Sequence, residues 1–291
     1  MRRLLFGLTA LLLGCALAAC SPAGATPTGH APSPARTTTP TPTAPAGPPL
    51  PAALSPAQLA ALPAAVYDAV VPGLLAAPAN PHFSLAMTVG FDSAVYGADF
   101  STPVARVPAK DFLGEPTIVV PVTTDGAWSL ILTASRQTLP SAATPGSPAP
   151  AQTAAWIPTA ALKPVGGLPD RIVVSVSAQT LTITDAAGTA KQTFPVGVGT
   201  PETSTPTDVT GYLQARYLDP AQGQAEHRIQ LTSLHATGAD EPYGGSDGGL
   251  IGIHYEDDRQ GAISHGCIRV GADAVAAIDA LPLGTPVRIV A

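Results

Sequence analysis

Cys267, His265 and His254 are the residues of this chain best suited to nucleophilic chemistry. Cys267 follows His265 and Gly266 directly, and His254 ends the apolar run Ile251-Gly252-Ile253-His254 upstream. A cysteine attacks as its thiolate, and an imidazolium beside it lowers the thiol pKa below its usual value of about 8.5. Gly266 lets the backbone approach closely and supplies an N–H toward a developing oxyanion. These residue types indicate acyl transfer to Cys267, with histidine carrying the proton.

Two other interpretations of these residues remain open at this level. Cys267 is also compatible with a small buried hydrophobe whose neighbouring histidines form hydrogen bonds in the core. A zinc site is the second alternative, although the spacing matches no familiar zinc module. Its ligands would be His254, His265 and Cys267, together with His235 or Asp258.

The chain has three cysteines, an odd number that excludes a fully paired disulfide framework. Cys15 and Cys20 lie near an N-terminus with the layout of a secretory signal. Met1-Arg2-Arg3 is positive, Leu4–Leu13 is apolar, and small residues follow. The apolar segment is shorter than the roughly 20 residues that span a membrane. The sequence therefore predicts a signal peptide over residues 1–19.

The segment Leu17-Ala18-Ala19-Cys20 resembles the lipobox of bacterial lipoproteins. The resemblance implies cleavage before Cys20, which then carries a diacylglycerol that anchors the exported chain to the outer face of the cell membrane. A small-residue cleavage site with an incidental cysteine is the alternative. With Cys15 removed and Cys20 lipidated, Cys267 is left unpaired outside the cell, where a thiol is oxidised unless it is buried or needed.

The N-terminal region and the overall charge limit what the chain can do. Residues 20–54 consist mainly of Pro, Ala and Thr, which cannot form a core and predict a disordered linker. The chain has 14 Lys and Arg against 20 Asp and Glu, a net charge of −6. No basic cluster is present to neutralise phosphates, so a nucleic-acid partner is excluded.

Residues 55–165 predict a helix followed by a small β-rich spacer domain. Ser55 is a suitable N-cap with Pro56 at the first helical position, and the apolar spacing predicts a helix that ends by Pro72. Short strands are predicted between turn residues. They cover Phe83–Phe91, Pro103–Val107, Thr117–Val122, Ala127–Thr133 and Ala155–Pro158.

The later part of this domain weakly resembles bacterial SH3-like modules. The Pro- and Ser-rich stretch Pro140–Ala151 predicts a surface loop. Trp128 and Trp156 are predicted to pack in the core, because most aromatic side chains of small β units are buried. A ligand platform is the alternative for these two side chains.

Residues 168–291 predict a second, mainly β domain. Ile172–Val176 and Gln179–Thr184 alternate as the strands of a hairpin do, and Phe194–Val198 predicts a further strand. One helix is predicted late in the domain, over Ala272–Leu281. The fold class is therefore mainly β throughout, with two short helices.

The hexapeptide Ser264-His265-Gly266-Cys267-Ile268-Arg269, with Ile253-His254 upstream, resembles the signature of the L,D-transpeptidase catalytic domain, also called the YkuD fold. The resemblance extends over about Asp170–Ala291. It includes further segments of the chain: Arg171–Val174, Gln179–Leu181, Phe194–Gly199, Thr205–Thr207, Gly211-Tyr212 and Leu281–Val287.

This resemblance implies a β-sandwich catalytic domain and cysteine transpeptidation of peptidoglycan stem peptides, with no metal and no organic cofactor. Cys267 would attack the third residue of a tetrapeptide stem, release terminal D-Ala, and pass the acyl group to a neighbouring stem as a 3-3 cross-link. His254 would be the general base and acid, and His265 would shape the site. The N–H groups of Gly266 and Cys267 would line the oxyanion hole.

Substrate contacts are expected from Ser264, Arg269 and Tyr255. From residue types alone, Arg269 is instead a structural partner of Asp273 or Asp258. Tyr255 stands where the family commonly has Gly or Ser, so the carbonyl that steadies the His254 imidazole is expected to be placed differently.

Two other functions are compatible with the sequence. An L,D-carboxypeptidase uses the same residues but resolves the thioester with water. A non-catalytic wall-binding lipoprotein is the second, although such a protein has no chemical reason to keep both His254 and Cys267.

Overall fold

The computed structural model describes residues 47–239 and 249–291, which lie in one compact unit, Pro45–Ala291. The predicted signal peptide, Cys20 and most of the predicted linker lie outside the described residues. Within the two described ranges, no helix is long and apolar enough to cross a membrane.

The first helix is shorter than the sequence predicts. Helix α1 spans Pro56–Ala60, and the Ser55 hydroxyl accepts a hydrogen bond from the N–H of Gln58 in a capping box. The prediction that the helix continues toward Pro72 is wrong. Pro63 ends it, because proline lacks the N–H that a helix needs and disfavours helical geometry in the residue before it. The chain beyond is extended, and Ala65 N donates to Arg106 O at 2.7 Å.

The first sheet has eight strands in the order β4-β3-β7-β6-β5-β2-β8, with β1 paired to β7. The strands are β1 (Leu75–Ala76), β2 (Leu85–Val89), β3 (Ser93–Tyr96), β4 (Pro103–Val107), β5 (Ile118–Asp125), β6 (Trp128–Thr133), β7 (Thr153–Pro158) and β8 (Leu162–Gly167). Single 3-10 turns lie at Pro140–Ala142 and Thr159–Ala161. All five predicted strands of this region are present.

The sequence prediction missed β1, β3 and β8. Strand β8 has the sequence Leu-Lys-Pro-Val-Gly-Gly, and it is exposed beyond its first residue. Proline and glycine are typical of an edge strand, and this sequence does not alternate between apolar and polar residues as a half-buried strand does. Trp128 is fully buried against Tyr96, with ring centroids 5.0 Å apart. Trp156 is half-buried, and its ring centroid lies 4.7 Å from that of Phe100. The prediction that Trp128 packs in the core is confirmed.

The second sheet has ten strands in the order β11-β10-β9-β18-β13-β14-β15-β17-β12-β16. They are β9 (Asp170–Ser175), β10 (Thr180–Asp185), β11 (Ala190–Pro195), β12 (Gly197–Gly199), β13 (Val209–Asp219), β14 (Gln224–His235), β15 (Leu250–Tyr255), β16 (Gly261–Ser264), β17 (Ile268–Val270) and β18 (Pro286–Val290). A 3-10 turn spans Pro220–Gln222, and helix α2 spans Ala272–Asp279.

The predicted hairpin is present as β9 and β10, and the predicted late helix is α2. The single strand predicted over Phe194–Val198 is wrong, because the chain leaves β10 after Pro195 and pairs with β16 and β17 from Gly197. Strands β11 and β12 are adjacent in the chain but lie toward opposite ends of the sheet order. The sheet must therefore bend around its core, as a sandwich does.

The two sheets share buried side chains. The largest apolar cluster lies within the second sheet and under α2, and another fills the first sheet. A third cluster joins them, since Tyr212 of β13 packs with Phe83, Leu132 and Leu168. Tyr212 is 2% exposed. The first sheet is therefore packed against the second sheet.

His235, at the end of β14, forms the polar part of the contact between the sheets. Its backbone N–H donates to Ala151 O at 2.9 Å, and its ring Nε2 donates to Tyr67 O at 3.1 Å. The side chain is 1% exposed, and burial, reinforced by nearby Arg136, lowers its pKa from 6.5 to about 3. The imidazole is neutral in the folded protein at neutral pH.

We expect His235 to make stability depend on pH. Between pH 7 and pH 5 the unfolded chain takes up a proton at this histidine while the folded chain does not. The free energy of unfolding therefore decreases as the pH is lowered. The loss in the free energy of unfolding should be roughly 2 kcal/mol. His235→Gln should show a shallower pH dependence in urea unfolding at pH 7, 6 and 5. Equal pH dependence in the two chains would contradict this assignment.

Candidate active site

Strands β15 and β17 bring the predicted site residues to one face of the second sheet. The two strands are parallel, with Ile253 paired to Ile268 and His254 paired to Arg269. Paired residues share a face, and so do residues two apart in one strand. His254 and Arg269 therefore share a face, and Cys267 lies immediately before β17, opposite Gly252.

The alternation of apolar residues explains why these side chains face the site. Ile251, Ile253, Ile268 and Val270 are all fully buried in the cluster beneath α2. Because side chains alternate along a strand, burying these four turns their neighbours to the other face. A shift of one residue in register would bury His254 and expose isoleucine. The hydrophobic core thus fixes the position of the histidine.

A turn held by Ser264 precedes the thiol. The Ser264 hydroxyl donates to Cys267 O at 2.6 Å and accepts from Gly266 N at 3.2 Å. Gly266 has φ +104°, a region that favours glycine, and its carbonyl accepts from Thr205 Oγ1 at 2.8 Å. Two predictions concern this turn. Ser264 is buried and its hydroxyl is engaged within the turn, and its contact with substrate stays a prediction. The Gly266 N–H predicted for the oxyanion hole is engaged by Ser264.

The Cys267 thiol is half-buried and hydrogen-bonded to strand β15. Its Sγ lies 3.5 Å from Leu250 O, to which it donates, and the Gly252 N–H donates to the sulfur. A Cβ at Gly252 would lie 3.9 Å from Sγ, so glycine leaves space above the thiol. Burial raises the thiol pKa, while the Gly252 N–H and the Arg269 charge lower it by less. Cys267 is a protonated thiol at neutral pH.

His254 is a neutral base in the same environment. Its Nδ1 donates to Tyr255 O at 3.2 Å, which leaves Nε2 as the basic nitrogen, and Glu256 Oε1 lies 3.7 Å from Nδ1. Burial lowers the His254 pKa and Arg269 adds to this, while the Tyr255 carbonyl and Glu256 oppose it. The resting pair is therefore a neutral thiol and a neutral imidazole, not the thiolate and imidazolium expected from the sequence.

Tyr255 and His265 differ in what surrounds them. The Tyr255 hydroxyl donates to Asp257 Oδ1 at 2.6 Å, and its ring lies 4.5 Å from the His227 ring. Its contact with substrate stays a prediction, whereas its carbonyl steadies the His254 ring. His265 is exposed on the turn before Gly266.

Among the described residues, the Arg269 side chain binds a backbone carbonyl and forms no ion pair. Its Nη1 donates to Asp258 O at 3.4 Å, and its buried Nε has no hydrogen-bond partner in the described ranges. Of the two structural partners of Arg269 expected from the sequence, Asp258 contacts it through its backbone carbonyl. The Asp273 carboxylate instead accepts a hydrogen bond from Ala274 N. The Arg269 charge acts on both Cys267 and His254.

Sequence reasoning missed three groups around the thiol. Leu250 and Gly252 contact the thiol through backbone groups, and the residue types in a sequence do not indicate such contacts. Tyr217 of β13 pairs with Ile229 of β14, and its phenol pKa is raised mainly by burial, with a smaller contribution from Cys267. Phe112, in the turn between β4 and β5, packs edge-on against Tyr217, with ring centroids 5.5 Å apart. An alternating pattern along β13 was the only available signal.

The described residues contain no group of three or more His, Cys, Asp or Glu side chains that could hold a metal ion. The zinc ligands considered from the sequence are therefore not gathered there.

A known protein family matches the part of the chain that contains this site. The family model of the L,D-transpeptidase catalytic domain, YkuD, matches residues 169–289. These residues, which contain both His254 and Cys267, belong to that family. No curated protein sequence gives a significant match to the chain.

Solved structures of L,D-transpeptidases are similar to the chain at low identity. L,D-transpeptidase 1 of Mycobacterium tuberculosis is 18% identical over 48% of this chain and 78% of its own, with a TM-score of 0.31. An L,D-transpeptidase of Mycobacterium smegmatis is 15% identical over 75% of this chain and 99% of its own, with a TM-score of 0.33. An L,D-transpeptidase of Xylanimonas cellulosilytica is 16% identical over 42% of this chain and 60% of its own, with a TM-score of 0.30.

We expect Gly266→Ala to change the reactivity of the Cys267 thiol as well as the stability of the protein. At φ +104° a Cβ costs about 1–2 kcal/mol, and here it would also lie 3.0 Å from Ile251 Cδ1. Gly188→Ala is the matched control, since Gly188 has φ +89° in an open turn. Both variants should lose stability in urea unfolding. Only Gly266→Ala should change the rate of Cys267 alkylation by iodoacetamide, followed on its peptide by mass spectrometry. Equal alkylation rates in the two variants would contradict this.

Proposed function

We propose that this protein is a peptidoglycan L,D-transpeptidase that forms 3-3 cross-links through a thioester on Cys267. One observation carries the proposal: within a segment of this family, β15 and β17 bring a thiol, a neutral imidazole and a guanidinium to one face. That set can activate a nucleophile, move its proton and stabilise negative charge, which acyl transfer requires.

The first half-reaction forms the acyl-enzyme. His254 Nε2 takes the proton from Cys267 Sγ, and the sulfur attacks the carbonyl carbon between the third residue of a tetrapeptide stem and its terminal D-Ala. The C–N bond breaks, and the imidazolium gives the proton to the leaving amine. D-Ala departs, and the third residue is held as a thioester.

The second half-reaction makes the cross-link. The side-chain amine of a diamino acid on a neighbouring stem attacks the thioester carbonyl, and His254 receives the amine proton. The C–S bond breaks, and the sulfur regains a proton. One amide replaces another, so the reaction requires no nucleotide and no external energy source.

The neutral resting pair suits this sequence of steps. Because burial raises the thiol pKa and lowers the imidazole pKa, charge separates only as the sulfur attacks. Arg269 and the Gly252 N–H favour the sulfur anion at that moment, and Tyr255 O and Glu256 favour the imidazolium. A protonated resting thiol is also a poor substrate for oxidants, which react with thiolates.

The reaction can be tested on defined muropeptides with the purified chain. Tetrapeptide stems should give 3-3 dimers and free D-Ala, and Cys267→Ala should give neither. Tripeptides without dimers would overturn the transferase proposal in favour of the carboxypeptidase. A wild-type chain that releases no D-Ala and forms no covalent adduct with a carbapenem would favour the non-catalytic wall-binding alternative.

We propose in addition that the chain is exported and anchored by lipid on Cys20. The N-terminal charge, apolar run and lipobox-like segment support this. Expressed in a bacterium, the chain should partition into the detergent phase of Triton X-114 and carry the lipid mass on an N-terminal Cys20 peptide. Cys20→Ala should move it to the aqueous phase, whereas Cys15→Ala, upstream of the cleavage site, should leave it unchanged. Unmodified Cys20 in the mature chain would refute the anchor.

A further inference from the structure

Arg136, three residues beyond the end of β6 in the first sheet, reaches the ends of two strands of the second sheet with a buried guanidinium. It follows β6 in the chain, and only 6% of the residue is exposed. Its Nη1 donates to Ala236 O and its Nη2 donates to Gly249 O, both at 3.0 Å. Ala236 follows the last residue of β14, and Gly249 precedes the first residue of β15. One side chain therefore ties together the end of one strand and the start of the next.

The carbonyl that Arg136 holds is next to the backbone that contacts the thiol. Gly249 O accepts both from Arg136 and from Ala236 N, the latter at 2.9 Å. Leu250, the next residue, accepts from Cys267 Sγ, and the N–H of Gly252 donates to the same sulfur. A shift at Gly249 would move both of the backbone groups that orient the thiol.

Arg136 is itself fixed at its backbone. Its N–H donates to Ala69 O at 2.9 Å, and its carbonyl accepts from Val71 N at 2.8 Å. The guanidinium therefore projects from a rigid support. The guanidinium meets the two carbonyls with two separate nitrogens, Nη1 and Nη2, whereas an ammonium has its donors on one nitrogen.

We propose that Arg136 is a positioning residue for Cys267, through which the first sheet sets the geometry of the active site. The inference rests on the proposed function for its consequence in catalysis. It assigns the first sheet a part in the chemistry: the sheet holds the start of β15 at the distance at which Leu250 and Gly252 meet the thiol.

Arg136→Lys in the full chain is the test, because it keeps the charge but cannot hold both carbonyls. Imipenem serves as the covalent probe, and intact mass follows acylation of Cys267 over a range of concentrations. The limiting acylation rate should fall at least tenfold, while the concentration for half-saturation should stay within twofold. Arg136→Gln, which retains one amide donor group, should behave similarly.

Arg106→Lys is the matched control. Arg106 lies in β4 of the same sheet and pairs with Asp92 at 2.6 Å, and β4 is not a neighbour of β15. This variant should match wild type in acylation rate even if its melting temperature falls. An Arg136→Lys rate within twofold of wild type would overturn the proposal. Loss of cooperative unfolding in both Arg136 variants would overturn it as well, because the residue would then serve the fold as a whole.

Failure of the proposed function is distinguishable from failure of this inference. If wild-type Cys267 forms no imipenem adduct, the transpeptidase proposal fails. Arg136 is then judged on the rate of Cys267 alkylation by iodoacetamide, measured on the Cys267 peptide so that other thiols do not contribute. Arg136→Lys should change that rate more than threefold and Arg106→Lys should not. Equal rates in the three chains would overturn the positioning role.

Discussion

The parallel pairing of β15 with β17 is the constraint on which the candidate site depends. Ile253 and Ile268 are paired and fully buried, and this single apolar contact sets the register that places His254 beside Arg269. A one-residue shift in the register of these strands would bury the side chains that now face the site and expose the isoleucines, so the core fixes the register. The rest of the molecule supports this pair: Ser264 shapes the approach to Cys267, and α2 covers the opposite face.

Burial determines the electrostatics of the site more than any single charge does. It moves the pKa of Cys267 upward and that of His254 downward, so both groups are neutral at rest. Arg269 favours the ionised thiol but adds to the lowering of the His254 pKa, whereas the Tyr255 carbonyl and Glu256 favour the imidazolium. Such an arrangement holds stabilising groups ready for a charge that exists only during reaction, which is the condition for electrostatic preorganisation.

Much of this was accessible from the sequence, and the limits have physical causes. The mainly β fold, the hairpin, the late helix and the family of residues 169–289 were predicted from alternation and from one motif. Helix α1 was overextended because apolar spacing was weighed above Pro63. The split of Phe194–Val198 between two strands depends on long-range pairing that no local pattern reports. The roles of Leu250, Gly252 and Arg136 depend on backbone groups, which residue types do not specify.

The distance in sequence between the strands that neighbour Cys267 affects how the site comes into being. Strand β17 pairs with β15 on one side and with β12, some seventy residues upstream, on the other. Pairings this remote form slowly and late in folding. While the chain is still being synthesised, Cys267 is an ordinary solvated thiol without an aligned base. The backbone groups that contact its sulfur, Leu250 O and the Gly252 N–H, come together around it only in the completed sheet.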